Sequence, residues 1–307
     1  MSLSGQANAQ PLVSACLLTY RRANVLERTI GDILAQDFTD FELIINDDCS
    51  PDHTAEIGRR AEARDPRVRY CRNERNLRYA GNQNAAVTRS RGKYVAFLHD
   101  GDRYRPDMLS RWVEALEKHP SAGLVFNNLE TIEEQGNSVR TIRHPYPPLV
   151  CGRELYLEML RRNDSPIFGI AMARKKALEE AGPFREEFPV LADVDMWFRI
   201  LFRRDAAFVA EPLFRVYPRE AGHINRSINW KIREEDIHIR LRAAEALWPA
   251  GSRQREDAKK AVLKMYRRPN LRWLLAALAR GRPGDFVAGV AMIRRLSLPW
   301  NAPRLPG

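Results

Sequence analysis

The chain has 307 residues, 44% of them hydrophobic and 29% charged, which suits one substantial core with a smaller appendage and excludes a collagen, a coiled coil or a long disordered chain. Its net charge of +11 sits at one end: residues 1–227 hold 33 Lys and Arg against 32 Asp and Glu, whereas 228–307 hold 17 against 7. The near-neutral front argues against a general nucleic-acid surface there, and the basic tail suits anionic lipid, nucleic acid or plain solubility.

Residues 1–10 lack the charged-then-apolar layout of a secretory signal and read as a flexible leader. Residues 12–18 form an apolar run of strand length, followed by a polar turn and a helical pattern over 24–36. A second buried strand at 41–45 ends in an acidic turn with Asp47 and Asp48, and a short third strand covers 68–71. The fourth, 94–98, runs into His99-Asp100-Gly101-Asp102. Pro106 stands at a favourable helix start, the helix continues to His119, and 123–126 resumes strand character. From about 130 to 225 the pattern is irregular, with helices expected at 153–162 and 193–203, the second burying Trp197 and Ile200. Beyond Ile228 two or three basic helices follow, broken at 248–252 and 280–285. Apolar stretches at 273–279 and 286–293 are too short to span a bilayer, and four scattered cysteines without a CxxC pair suit reduced thiols. Both features place the chain in the cytoplasm or at the inner face of the membrane.

Strands separated by helical stretches imply an α/β fold with a mostly parallel sheet and right-handed crossovers. Ligands of such sheets bind at the carboxyl ends of the strands. Three polar clusters lie there: Thr19 and Tyr20, Asp47 and Asp48, Asp100 and Asp102. No GxGxxG follows the first strand and no GxxxxGK[ST] occurs, which disfavours a dinucleotide dehydrogenase and a P-loop kinase. Asp100 and Asp102 straddle a glycine that can take a backbone conformation other residues resist. Such a pair can hold a hard divalent cation through oxygen, and the same residues also suit an Asx turn with a helix cap.

The order VSACLLTYRR, FELIINDDCSPDHT, NLRYAGNQNAAV and GKYVAFLHDGDRYRPDML resembles family-2 glycosyltransferases of the GT-A fold, a resemblance that covers about residues 11–225. The resemblance implies a nucleotide-sugar-binding half over 11–128, an acceptor-binding half of the same domain over 129–227, and a basic helical segment over 228–307. It implies that Thr19, Tyr20 and Arg22 cradle the nucleoside, that Asp48 meets the base with Asp47 beside it, and that Arg78 touches the nucleotide. Asp102 would carry the more direct contact to Mg²⁺ or Mn²⁺, while Asp100 would touch sugar or ribose and share the ion. The donor would be a UDP- or dTDP-sugar, transferred with inversion to a saccharide or lipid-linked hydroxyl.

Attack by a hydroxyl needs a base. The family places it at a helix start in an acidic pair shortly before Trp, which falls on Asp193 in Leu191-Ala192-Asp193-Val194-Asp195-Met196-Trp197, with Ala192 where a Glu is usual. Asp193 is equally a favoured helix N-cap. Asp195, two residues on, belongs to another helix face and is expected to be exposed. His223 stands where the family carries a further metal or phosphate contact, and His99 is expected to pack beside the acids. The tail's Trp248, Tyr266, Trp273 and Trp300 among basic residues suit a membrane interface or a helical cap on the catalytic domain. Two rival readings are a sugar-nucleotide nucleotidyltransferase, for which TYRRAN lacks a glycine-rich loop, and a non-catalytic sugar-nucleotide or nucleic-acid binder.

Overall fold

The first three strand–helix units are β1 (Val13–Thr19), α1 (Ala23–Leu34), β2 (Phe41–Asp47), α2 (Thr54–Arg64), β3 (Val68–Arg72) and α3 (Arg78–Arg89). They are followed by β4 (Tyr94–His99), the two-residue β5 (Arg103–Tyr104), α4 (Met108–Lys118) and the long β6 (Ala122–Ile132). Next come β7 (Val139–Ile142), β8 (Leu149–Val150), α5 (Gly152–Arg161), β9 (Ala171–Arg174), α6 (Lys175–Ala181), α7 (Ala192–Leu201) and β10 (Asp205–Val216). Three further helices are α8 (Trp230–Leu247), α9 (Arg253–Ala279) and α10 (Pro283–Ser297). The structure is a computed structural model that describes residues 10–132, 139–162, 164–217, 230–279, 281 and 283–297.

Every residue of β1 and β2 is buried, as expected of parallel strands covered by helices on both faces. The sheet order is β3-β2-β1-β4-β9-β6-β10-β5, with β7 on β6 and β8 on β10. The long pairs β1–β2, β1–β4, β2–β3 and β6–β10 are parallel, and β9 runs antiparallel between β4 and β6. From β1 the chain proceeds one way to β2 and β3 and the other way to β4, so a switch point opens between β1 and β4. Register brings their ends level: Thr19 pairs with Asp47, and Leu18 with His99.

Helices cover the sheet because their apolar residues recur at helical spacing. α1 buries Leu26, Ile30 and Ile33, and α4 buries Met108, Leu109, Trp112 and Leu116, into one core. On the other face α7 is wrapped on all sides, with every residue but Arg199 buried. Ile237, Ile239 and Leu241 of α8 join the same cluster as Trp197 and Phe198 of α7. α8 is also fastened by a buried polar network. Arg240 pairs with Asp236 at 3.1 Å and donates from Nε to the Tyr266 hydroxyl of α9 at 2.8 Å, while that hydroxyl donates to Asp236.

Two expectations change. Asp195 is buried rather than exposed, because α7 has no solvent face; it is held by Arg185 at 2.9 Å and Arg199 at 2.8 Å. The tail aromatics face inward: Tyr266 is buried, Trp248 packs against the main core, and Trp273 packs in a small cluster with Trp230 and Met292 under the Arg233 guanidinium. Trp300 lies outside the described residues. Among the described residues no helix is long and apolar enough to cross a membrane.

Candidate active site

The loops after β1, β2, β3 and β4 gather at the switch-point edge. Three non-glycine residues there hold left-handed backbones: Arg21 (φ 56°), Cys49 (φ 62°) and Arg78 (φ 63°), one after each of the first three strands. Such conformations are costly outside glycine and concentrate where a backbone must be aimed. Arg21 is held there by its N–H to Ser50 Oγ, at 3.0 Å, and Arg78 by its N–H to Asn76 Oδ1, at 2.8 Å.

Thr19 is buried, and its hydroxyl makes no hydrogen bond among the described residues, although a buried hydroxyl ordinarily has a partner. Tyr20 beside it is exposed. The Arg22 guanidinium, buried and also without a hydrogen bond at Nε, lies 3.6 Å from Asp100 Oδ1. Asp47 is wholly committed to the fold: Oδ1 accepts from the Ser50 N–H (2.9 Å), and Oδ2 from the Tyr70 hydroxyl (2.6 Å) and from Arg72 (3.3 Å). Asp48 accepts from the Asn73 amide (2.9 Å) and the Leu77 N–H (2.7 Å) through Oδ1 alone. The Arg78 side chain is exposed at the start of α3.

The acidic loop after β4 turns at Gly101, whose φ of 81° fits a residue without Cβ. Its N–H donates to Thr29 Oγ1 of α1 (3.1 Å) and its carbonyl accepts from Arg28 (3.3 Å), so α1 clamps the turn. Asp102 is fully buried and accepts the Tyr217 N–H at 3.1 Å. Asp100 and Asp102 are two hard oxygen donors, and among the described residues no group of three His, Cys, Asp or Glu is placed to hold a metal. Two carboxylates, with the rest of the shell left to phosphate and water, is the donor set on which Mg²⁺-type ions commonly sit. The residues therefore fit such a cation without caging it. His223 lies outside the described residues.

Asp193 enters from α7. A Cβ built on Gly169 would stand 2.6 Å from Asp193 Oδ2, 2.8 Å from His99 Cε1 and 3.0 Å from the Tyr79 hydroxyl, so these three side chains converge on one glycine. The Tyr79 hydroxyl also shares a hydrogen bond with His99 Nε2 at 3.1 Å and contacts the Asp193 carboxyl. His99 packs against Tyr79 and Phe168 and immediately precedes Asp100. Asp193 Oδ1 accepts the Val194 N–H at 2.8 Å, yet burial outweighs that bond and pushes the carboxyl up to about 6. A carboxylate titrating there is a competent proton acceptor near neutral pH.

The family described as Glycosyl transferase family 2 matches residues 14–182, more than half of the 307-residue chain. The chain belongs to glycosyl transferase family 2.

Among the relatives of this glycosyltransferase is the GalNAc(5)-diNAcBac-PP-undecaprenol beta-1,3-glucosyltransferase of Campylobacter jejuni, 28% identical over 67% of this chain and 64% of that one. The chain covers 91% of an uncharacterized Mycobacterium tuberculosis protein at 28% identity, but only 24% to 36% of the length of three further relatives. In fold it resembles Staphylococcus aureus TarS residues 1–349 in complex with UDP-GlcNAc, with a TM-score of 0.61 at 15% identity over 92% of this chain and 91% of that one. It also resembles the Pyrobaculum calidifontis mannosyltransferase PcManGT in complex with GDP-Man and Mn²⁺, with a TM-score of 0.57 at 16% identity over 97% and 77% of the chains. The architecture is the GT-A fold of these glycosyltransferases.

The glycosyltransferase holds three residues near Asp193 that the sequence did not single out. Tyr79 adjoins the nominated Arg78, and its position one residue into α3 was the available signal. Gly169 lies in the irregular stretch with no pattern to mark it. Glu235, on α8, reads in the sequence as one more charge on a basic helix.

Proposed function

We propose that this glycosyltransferase moves a sugar from a nucleoside diphosphate, with UDP- or dTDP-sugars favoured, to an acceptor hydroxyl with inversion at the anomeric carbon. The observation that carries this reading is the buried Asp193 carboxyl, raised to about 6, converging with His99 beside the acidic turn at the strand ends. Asp193 takes the acceptor proton as the hydroxyl oxygen bonds the anomeric carbon and the bond from that carbon to the diphosphate oxygen breaks. Tyr79 orients the base. Asp195 is tied to two arginines, which supports Asp193 rather than Asp195 as the base.

Thr19, Tyr20, Arg22, Asp48 and Arg78 would line the nucleoside side, with a Thr19 hydroxyl and an Arg22 Nε that make no hydrogen bond among the described residues, and Asp47 holding their loop in shape. Asp100 and Asp102 would hold Mg²⁺ or Mn²⁺, which when bound neutralises charge on the diphosphate. UDP-GlcNAc in the TarS structure supports a nucleotide-sugar donor, and Mn²⁺ in the PcManGT structure supports the cation. The undecaprenol named for the Campylobacter relative supports a saccharide or lipid-linked acceptor. For contact with an anionic bilayer, Leu271 and Leu275 stand exposed one helical turn apart on α9 beside exposed Arg267 and Arg272.

The test is release of nucleoside diphosphate from UDP-glucose, UDP-GlcNAc, a dTDP-sugar and GDP-mannose, with and without Mn²⁺. Cation-dependent release with a β-linked product from an α-linked donor is expected. Pyrophosphate release from a nucleoside triphosphate and a sugar phosphate would instead establish the nucleotidyltransferase.

A further inference from the structure

Helix α7 begins without a side-chain cap of its own. Its N-cap position is Leu191, which has no polar side-chain atom to offer, and within the helix Asp193 Oδ1 meets the Val194 N–H. The entry to the helix is held from α8: Glu235 Oε1 accepts the N–H of Val190 at 3.0 Å and of Leu191 at 2.5 Å. Glu235 is buried, and a buried carboxylate bonded to a helix N-terminus is held by both hydrogen bonds and the helix dipole. The same helix grips the preceding loop a second time, through Arg242 and Glu187 at 2.8 Å. α8 itself cannot easily shift, because Arg240 donates to the Met159 and Asp164 carbonyls and Tyr156 donates to the Ala243 carbonyl at 2.7 Å.

We propose that Glu235 is a positioning residue, which fixes the first turn of α7 so that Asp193 meets its substrate in a productive pose. The role rests on the assignment of Asp193 as the base. It also gives the C-terminal helical segment a part in turnover that its charge does not suggest. Burial pushes Glu235 up to about 7, and the neighbouring Asp193 charge adds to that rise, so the two carboxyls lie within electrostatic reach. Small displacements of a reacting group lower rates strongly, which is why a cap two residues from the base bears on kcat.

The test compares Glu235→Ala and Glu235→Gln, each with Asp193 intact and with Asp193→Asn, in the full chain. Amide hydrogen exchange over residues 190–195 reads the cap directly, and UDP-GlcNAc turnover with Mn²⁺, or turnover of whichever donor in the panel above is active, reads the chemistry. Glu235→Ala is expected to speed exchange and to lower kcat about tenfold to hundredfold with the donor KM within about twofold. Glu235→Gln keeps an acceptor oxygen and is expected to restore most of both. On the Asp193→Asn background Glu235→Ala is expected to add nothing, since residues acting as a unit are not additive. Should Glu235→Ala fail to fold, Glu235→Asp withdraws the oxygen by one methylene and serves in its place.

Unchanged exchange, or an equal further loss on the Asp193→Asn background, would overturn the positioning role alone. Normal turnover by Asp193→Asn would overturn the base and, with it, this role.

Discussion

The Arg22 guanidinium stands 3.6 Å from the Asp100 carboxylate, joining the loops after β1 and β4 across the gap where the strand order reverses. Their side chains are only 9% and 11% exposed, so each charge is in part compensated by the other. Arg22→Ala is therefore expected to destabilise the fold by about 2–4 kcal/mol, read by chemical denaturation. Mn²⁺ should restore more stability to this variant than to the parent, because a cation at the acidic turn replaces the lost positive charge. Equal gains in both proteins would argue against ion binding at Asp100.

Asp193→Asn keeps the shape of the side chain and removes its basicity. Turnover is expected to fall by about a hundredfold to ten-thousandfold while donor affinity holds, measured by steady-state rates beside UDP titration. For the parent, kcat should rise with pH through about 6 and level off, as Asp193 loses its proton. Tyr79, His99 and Glu235 face this group, and the apparent midpoint belongs to the coupled Asp193–Glu235 pair.

The same ionisation has a stability counterpart. The folded value for Asp193 exceeds the ordinary 3.8, so the folded chain binds this proton more tightly than the unfolded one. Stability is lost as pH climbs from about 4 to about 6, by about 3 kcal/mol for this group alone. Asp193→Asn should consequently melt higher than the parent at pH 8 and about level with it at pH 4, in thermal scans. A higher melting point for the parent at pH 8 would contradict the burial assigned to Asp193.

Gly169→Ala would place a methyl among Asp193, His99 and Tyr79 at distances that real contacts do not tolerate. All three neighbours are side chains that must shift, so the fold should survive with a loss of about 1–3 kcal/mol. The base would move, and kcat is expected to drop at least about tenfold with donor binding intact. Unaltered kcat would show that Asp193 works from another pose.

Leu271→Glu combined with Leu275→Glu changes only exposed side chains of α9. If this face meets lipid, co-sedimentation with phosphatidylglycerol vesicles should weaken at least about tenfold, since each leucine contributes about 1.5–3 kcal/mol on burial. Turnover of a soluble acceptor should stay unchanged. Equal sedimentation of parent and variant would remove the membrane contact.

The first part of the sheet was readable from sequence because its strands are buried on both faces and leave unbroken apolar runs, as at 12–18 and 41–45. The turn at Gly101 and the helix carrying Asp193 were readable for similar local reasons. α8 was not. Its Glu235, Asp236 and Arg240 look like solvated charges, yet all are buried, because each answers a polar group elsewhere in the chain. Periodicity registers apolar spacing and is blind to charges that compensate one another over long separations. Asp195 was misread in part for the same reason: Arg199 stands four residues on in the same helix, but Arg185 reaches it only once the loop before α7 is folded back.

The left-handed residues Arg21, Cys49 and Arg78 bear on how this molecule tolerates engineering. Each would relax by about 1 kcal/mol as glycine, so a search for heat-resistant variants would tend to select those replacements. The same replacements would slacken the three loops after β1, β2 and β3, where we propose the nucleotide binds, and would erase an arginine at two of them. Thermal hardening and substrate affinity are thus set against each other at these three positions, and robust variants are better sought on the opposite edge of the sheet.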